Sequence, residues 1–422
     1  MMILDKNYEY YLSLKDKLNF VYKGIQYNKV LSFDIARIAF LKEKDYTIRE
    51  ILRNFLFSVD LAPLVKACSI KEKIIIYSIG RNDYKFQIEQ TISGISSIET
   101  ILIEKLEKKN SFKPLQILVT FFHTYKSLRG KISLYEIIFL TSKIVFYKSI
   151  HEQLFLIFNI QCKNKIKLIS FNSAFNIENL ICQFFNLNHH PTFSLSHGFF
   201  VPYKKFIPTD IVNGENIVSN EIIVWGSSSV TDLNDNYDFP TKRVLVGGNP
   251  KYPYKKIRLK QTFKKCIVLL GRGIYNDSNL EIIKILKDFI SENSSIIFEL
   301  KLHPSLKIEL YREICNGTNI EIIEDNKTLF DIFNENIYDF SIVNNSTTYY
   351  DALYAEMICL RYELSENEEF KGLDDKFVDS ETLKNRINYF MNIDSHKLNS
   401  ETEELLESIL GMGINNYKQI LD

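Results

Sequence analysis

A single tryptophan, Trp225, is all that 422 residues contain, and the six cysteines fall one by one along the chain. Cys68, Cys162, Cys182, Cys266, Cys315 and Cys359 form no CxxC pair and no cluster with histidine, which argues against a disulfide framework and a thiolate zinc site. Most of them sit in apolar runs, where a reduced thiol packs as a small hydrophobe. Net charge is also lacking. Fifty-two Lys and Arg balance 52 Asp and Glu, so nothing draws the chain toward nucleic acid over long range. The opening MMILDKNYEYYLSLKDK is charged too early for a secretory signal. The most apolar stretch, 137–158, is interrupted by Lys143, Lys148, His151 and Glu152 and does not read as a membrane span. No internal repeat, low-complexity tract or Asp-x-Asp metal motif stands out. Together these absences place the chain in the cytoplasm.

What remains is an ordinary globular composition, 45% hydrophobic and 25% charged. A single core stops growing at roughly 250–300 residues, so this length predicts two domains. Residues 1–70 read as mainly helical, from Tyr, Leu and Phe spaced three and four apart. Strands are expected at 73–80, 115–122, 166–171, 192–196, 221–226 and 242–250. An amphipathic helix is expected over 99–109 and further helical material over 134–158. Around 249–264 the pattern breaks into Asn-Pro-Lys-Tyr-Pro-Tyr-Lys-Lys, which is linker chemistry. Strands at 266–271, 295–303, 320–324 and 340–345 then alternate with helices. A last strand, MICLRY, follows, and the final 45 or so residues look helical and polar. Short apolar strands alternating with helices imply parallel sheets covered on both faces. The expected architecture is α/β: an N-terminal Rossmann-like domain over 1–245, a linker over 246–262 and a second Rossmann-like domain over 263–422. Ligands of such sheets bind beyond the carboxyl ends of the strands.

That rule directs attention to the strand ends. Lys301-Leu302-His303-Pro304-Ser305 closes one strand, and Pro304 presets a turn beside an imidazole able to donate to a phosphate oxygen. Asn344-Asn345-Ser346-Thr347-Thr348 runs from another strand into a helix, and hydroxyls with free N–H groups at a helix start suit an anion. Asp351, four residues past Thr347, is placed to reach a ribose hydroxyl. Leu270-Gly271-Arg272-Gly273 follows the first strand of the second domain, where a GxG turn can bring backbone N–H groups and the Arg272 charge toward a phosphate. Each of these also fits a plain turn or helix cap. In the first domain, Ser196-His197-Gly198-Phe199 closes a strand, and His197 is a candidate general base for an acceptor hydroxyl. Asp83, in the turn Gly80-Arg81-Asn82-Asp83, is the competing base. Glu215 lies in a loop of Gly214-Glu215-Asn216, able to touch substrate or to face solvent. Aromatic and basic residues over 199–206, including Lys204 and Lys205, could rest against a membrane surface.

In this order the residues resemble bacterial glycosyltransferases of the twin-Rossmann GT-B fold. Val246-Gly247-Gly248-Asn249-Pro250 is similar to sequences in enzymes of capsule and lipopolysaccharide assembly. His303-Pro304 followed by Ser346-Thr347 resembles the HP and S/T motifs of sialyltransferases and Kdo-transferase-like enzymes that use CMP-activated sugars. The resemblance spans about residues 70–365 and implies a phosphate held by His303, Ser346 and Thr347. It further implies a metal-independent, inverting transfer with no cofactor beyond the nucleotide sugar, which is the CMP-linked co-substrate. Its partners would be that donor and a glycan or lipid-linked glycan acceptor, with a peripheral place on the inner membrane face. The Asp/Glu-Asp/Glu-Gly tripeptide of sialyltransferases does not occur here. His197-Gly198 also resembles the His-Gly element of teichoic-acid glycerophosphotransferases, so a CDP-polyol phosphotransferase is an alternative. A non-catalytic nucleotide- or glycan-binding protein and a nucleotide-sugar epimerase share the same shell.

Overall fold

The computed structural model describes residues 5–41, 45–77, 82–95, 97–161, 166–200, 202–203, 207–292, 295–324, 327–344, 346–364 and 370–422, with the backbone alone at 82–83, 104, 156–161, 274 and 330. Two compact units result. The first comprises Met1–Phe200, Phe206–Lys251 and Asn415–Asp422, the second Val201–Lys205 and Tyr252–Ile414.

The first unit holds a six-stranded sheet of β1 (Lys73–Tyr77), β2 (Ile98–Leu102), β3 (Lys167–Ser170), β4 (Thr192–Leu195), β5 (Glu221–Val224) and β6 (Val244–Val246). All its pairs are parallel, in the order β6-β5-β4-β3-β1-β2, with Ile75 opposite Ile169. Every residue of β1 and β4 is buried, as expected of strands covered on both faces. The second unit repeats the theme with β7 (Lys265–Leu269), β8 (Ile297–Lys301), β9 (Ile320–Ile322), β10 (Phe340–Val343), β11 (Ile358–Tyr362) and β12 (Lys376–Phe377). Here the order is β9-β8-β7-β10-β11-β12, again all parallel. In strand sequence within the unit this is 3-2-1-4-5-6, the doubly wound Rossmann order. The first sheet runs 2-1-3-4-5-6, which begins as the flavodoxin-like order does. The α/β class with two Rossmann-like sheets, expected from the strand pattern, is the observed one.

Three local expectations fail. Residues 115–122 are not a strand but part of helix Pro114–Leu128. Leu-Gln-Ile-Leu-Val-Thr-Phe-Phe is mostly apolar, and its polar Gln116 and Thr120 lie four apart, a spacing that shares a face in strand and helix alike, while Pro114 at the first helical position was the usable start signal. The helix expected over 99–109 is instead edge strand β2, a 3-10 turn over Ile103–Lys105 and a short strand Lys108–Asn110 that pairs antiparallel with Phe57–Val59. Its charges at three- and four-residue spacing mimic an amphipathic helix. Finally, Gly214 and Glu215 close a short helix, Val212–Glu215, and do not lie in a loop. The N-terminal part also carries small strands, Val21–Tyr22 and Ile25–Gln26, between its helices.

The end of the chain returns to the first unit. Tyr417 and Leu421 of helix Tyr417–Leu421 are buried among Ile75, Ile169, Leu195 and Ile223. The Tyr417 hydroxyl donates to the Gly248 carbonyl at 2.7 Å. Gly247 must be glycine, because a Cβ there would come within 2.5 Å of Ile223. In the second unit, buried Arg361 on β11 donates to Asp375 at 2.7 Å and lies against Gly372, where any Cβ would overlap the guanidinium.

His151 sits in the long helix Leu134–Gln161, buried, with Nδ1 3.3 Å from the Tyr27 hydroxyl and no partner for Nε2 among the described residues. Burial, helped by the charge of Lys23, pushes its pKa down to about 4 from the ordinary 6.5. An unfolded chain therefore takes up a proton at His151 that the folded chain refuses. Stability from this group is intact above pH 6.5 and is lost as the pH falls toward about 4. The loss is on the order of 2 kcal/mol once screening is allowed for. Urea denaturation at pH 7 and pH 5 should show a smaller drop in His151→Gln than in the parent, and equal drops would refute the assignment.

Candidate functional site

The site is best read from the strands at the centre of the second sheet. Strand order reverses between β7 and β10, and the loops leaving these two neighbours diverge to open faces of the sheet. β8 lies on the other side of β7. The carboxyl ends of three adjacent strands, β8, β7 and β10, thus carry His303, Gly271-Arg272-Gly273 and Ser346-Thr347. Residues expected from separate motifs share one edge of one sheet.

The loops after β7 and β8 are tied together. Gly273 N–H donates to Ser305 Oγ at 3.1 Å, and Ser305 Oγ lies 2.8 Å from His303 Nδ1. The Ser305 backbone N–H also donates to His303 Nδ1, at 3.1 Å. A nitrogen that accepts an N–H carries no proton of its own, so the neutral ring is protonated on Nε2. Because Ser305 Oγ accepts from Gly273, its hydroxyl hydrogen is left to point at the same Nδ1. Burial first, and the Arg272 charge second, hold the His303 pKa below the ordinary histidine value. The ring is therefore neutral at physiological pH and presents Nε2–H as a fixed donor. Pro304 follows in the turn with its φ fixed by the pyrrolidine ring, and the two contacts of Nδ1 orient the imidazole.

The loops after β7 and β10 are tied by a residue that strand-end reasoning missed. Asn279, fully buried in helix Asn276–Glu292, accepts from Gly271 N–H at 2.9 Å and donates to Gly271 O at 3.0 Å. Its Oδ1 also accepts from Asn344 Nδ2 at 2.9 Å. That contact orients the Asn344 amide, and it leaves Asn344 Oδ1 buried without a partner among the described residues. An orphaned acceptor at the switch point is a place for a donor from a ligand. The only sequence signal for Asn279 is a polar residue in an apolar helix stripe.

Around this frame, Arg272 stacks over the Tyr275 ring at 5.6 Å from its centroid. Ser346 Oγ accepts from Thr348 N–H at 3.3 Å and lies 3.1 Å from Thr348 Oγ1. Thr347 is the exposed N-cap of helix Thr348–Tyr354, yet its hydroxyl makes no capping bond. Asp351 has a partner of its own. Its carboxylate accepts from the buried Tyr252 hydroxyl at 2.6 Å through Oδ1. Asn345 lies outside the described residues.

In the first unit, His197 follows β4 with its ring 5.5 Å from Tyr84 and 5.9 Å from Phe171. A cavity of about 20 Å³ adjoins it, lined among others by Asn172, Ser173, Ser196 and Asn213, which is room for a single water. Asp83 lies at the start of helix Asn82–Ile92, and its side chain, like Gly80 and Arg81, is outside the described residues. Glu215 is structural. It pairs with Lys15 at 2.6 Å and accepts from Tyr11 at 3.0 Å, joining the N-terminal helix to Val212–Glu215. Of the suggested membrane-facing segment 199–206, Phe200 is buried and Phe199 packs edge-on against Trp225 at 5.2 Å. Lys204, Lys205 and Phe206 are outside the described residues.

No protein-family profile matches the chain. An uncharacterized protein of Methanocaldococcus jannaschii is 25% identical over 392 residues, 89% of this chain and 64% of that protein, so the chain spans less than two thirds of its relative's length. Among solved structures, the M. jannaschii UDP-GlcNAc 2-epimerase in complex with UDP-GlcNAc and UDP aligns with a TM-score of 0.48 and 11% identity, over 83% of this chain and 98% of that one. S. aureus MnaA with UDP aligns with a TM-score of 0.47 and 12% identity, over 82% and 94% of the two chains. The pneumococcal O-GlcNAc transferase GtfA with UDP and GlcNAc gives 0.42 and 10%, over 65% and 59%.

Two outcomes follow from this geometry. Asn279→Ala strands the Gly271 amide and the Asn344 side chain, and should cost on the order of 2–4 kcal/mol in chemical denaturation; a loss near zero would mean that the loops do not depend on it. Nitrogen-15 NMR of the His303 ring should report the Nε2–H tautomer at pH 7, with titration below the usual histidine range. A proton on Nδ1 would overturn the arrangement.

Proposed function

We propose that the chain is a nucleotide-sugar-dependent glycosyltransferase whose second unit holds the donor and whose first unit serves the acceptor. The observation that supports this is the convergence of the Gly271-Arg272-Gly273 turn, the His303 donor and the Ser346-Thr347 hydroxyls on three neighbouring strand ends at a topological switch point. In this reading Nε2–H of His303, the Arg272 guanidinium and the two hydroxyls bind the phosphate of the donor. The acceptor hydroxyl attacks the anomeric carbon with inversion, and the bond from that carbon to the phosphate oxygen breaks. The phosphate leaves with the electron pair, its growing charge met by donors already in place. The acceptor's proton passes to a base of the first unit, His197 or Asp83.

Within this reading the donor is a CMP-linked sugar of the nonulosonic or Kdo class, supported by the His303-Pro304 and Ser346-Thr347 pairs. The acceptor is a hydroxyl of a bacterial surface glycan. The orphaned Asn344 Oδ1 would accept from a hydroxyl or amino group of the bound nucleotide.

Thermal shift against CMP, CDP, UDP and GDP tests the assignment. Ligand at a hundredfold over its Kd stabilises by about 2.7 kcal/mol. CMP should raise the melting temperature of the parent and leave His303→Ala unmoved. With the conjugated donor, His303→Ala should lower kcat by about 10²–10³-fold. A shift with UDP or GDP in place of CMP would discard the donor. No shift with any nucleotide, or full turnover by His303→Ala, would discard the site. A product heavier by a polyol phosphate would indicate a phosphotransferase instead.

A further inference from the structure

Helix Pro114–Leu128 is built inside out. The face it buries against helix Leu134–Gln161 carries Thr120, Thr124 and Leu128. Thr124 turns its hydroxyl back to the Thr120 carbonyl at 2.9 Å, and Lys148 reaches the Thr120 hydroxyl at 3.5 Å. The opposite face carries Leu115, Leu118, Val119 and Phe122, which are 75%, 55%, 62% and 65% exposed. Spaced three and four apart, they fill an arc of roughly 100°. An ordinary surface helix has the reverse distribution.

The apolar face is not isolated. Phe112 is exposed just before the helix, and Ser111 N–H donates to the Leu56 carbonyl at 2.9 Å. That bond places a second stripe alongside, the exposed Ile48, Leu52 and Leu56 of helix Ile48–Leu56, set four residues apart. With Phe112 the first stripe alone offers on the order of 500 Å² of apolar surface, at the upper end of what a monomer exposes.

Charge says what covers it. From Lys105 to Lys131 the chain has seven Lys or Arg, all exposed, and one acid, Glu107. A cavity of about 640 Å³ beside Leu52 and Leu56 is lined by Arg49, Arg53 and Lys108 together with Asp45 and Glu50. Both of those acids are already held by Arg37, at 2.8 and 3.2 Å. Cations around an apolar stripe match an anionic lipid surface. A second copy of the chain meeting this face symmetrically would set its cations against like charges.

We propose that this face docks on an anionic membrane surface. Helix Pro114–Leu128 lies in the plane of the interface, with Leu115, Leu118, Val119 and Phe122 in the acyl boundary and the flanking lysines among the headgroups. Arg49, Arg53 and Lys108 then face a lipid phosphate. The surface is not the 199–206 segment expected from sequence, and it stands whether or not the chain transfers sugar.

Flotation of the full chain with phosphatidylcholine vesicles, with and without phosphatidylglycerol, tests it. The chain should float with the anionic vesicles, less so at high salt, and stay behind with the neutral ones. The double variant Leu118→Glu, Phe122→Glu should keep the parental circular dichroism and melting temperature and lose flotation. Lys108→Glu with Lys109→Glu should weaken vesicle binding by on the order of tenfold or more. Three results would overturn the proposal: no flotation with either vesicle, undiminished flotation of the Leu118/Phe122 variant, or a parental dimer in sedimentation that this variant dissolves.

Discussion

The reversal of strand order between β7 and β10 is the constraint on which the second unit's candidate site depends. Parallel strands need crossover connections, and those crossovers keep one hand. A chain that winds first one way from β7 and then the other from β10 must send the two outgoing loops to opposite faces of the sheet. The gap left at that edge cannot be closed by either helix layer. Asn279 spans it with hydrogen bonds to both sides, and Ser305 extends the same lattice to β8. Groups held this way are fixed in advance, which is what electrostatic stabilisation at low reorganisation requires of any site.

The first unit has a comparable edge with different occupants. Ser173 joins Ser194 and Ser219 through buried hydroxyls, and Glu178 accepts from Ser170 and from the Asn172 backbone. These groups hydrogen-bond one another, and His197 lies beyond β4 against the rings of Tyr84 and Phe171. Each sheet leaves one buried group without a partner among the described residues just past a strand, the donor Trp225 Nε1 after β5 and the acceptor Asn344 Oδ1 after β10.

Most of this frame was legible in the sequence for one reason. Strands buried on both faces write themselves as short apolar runs, and Lys73–Tyr77, Thr192–Leu195 and Phe340–Val343 are such runs. The residues just beyond them, His303 and Gly271 among them, could be named in advance because the fold class says where loops converge. Asn279 could not, since it acts from the first turn of a helix on partners that tertiary contact sets. The Tyr252 contact of Asp351 was likewise out of reach, because a helical position says which residues share a face but not which distant hydroxyl meets the carboxylate. Residues 115–122 were misread because their apolar content is real and their exposure is not a property of the local pattern. The balanced total of charges hid a local excess of cations for the same reason that any average does.

Tyr417 and Leu421 complete the core beneath β1, β3 and β4, yet they lie beyond every residue of Tyr252–Ile414 in the chain. A ribosome therefore finishes the second unit before it releases the side chains that the first unit needs. The unit whose synthesis starts first lacks part of its core until the other has been made. In the interval, the seat of Tyr417 against Gly247 and Gly248 stands open, an apolar hollow for a chaperone or a wrong partner to find.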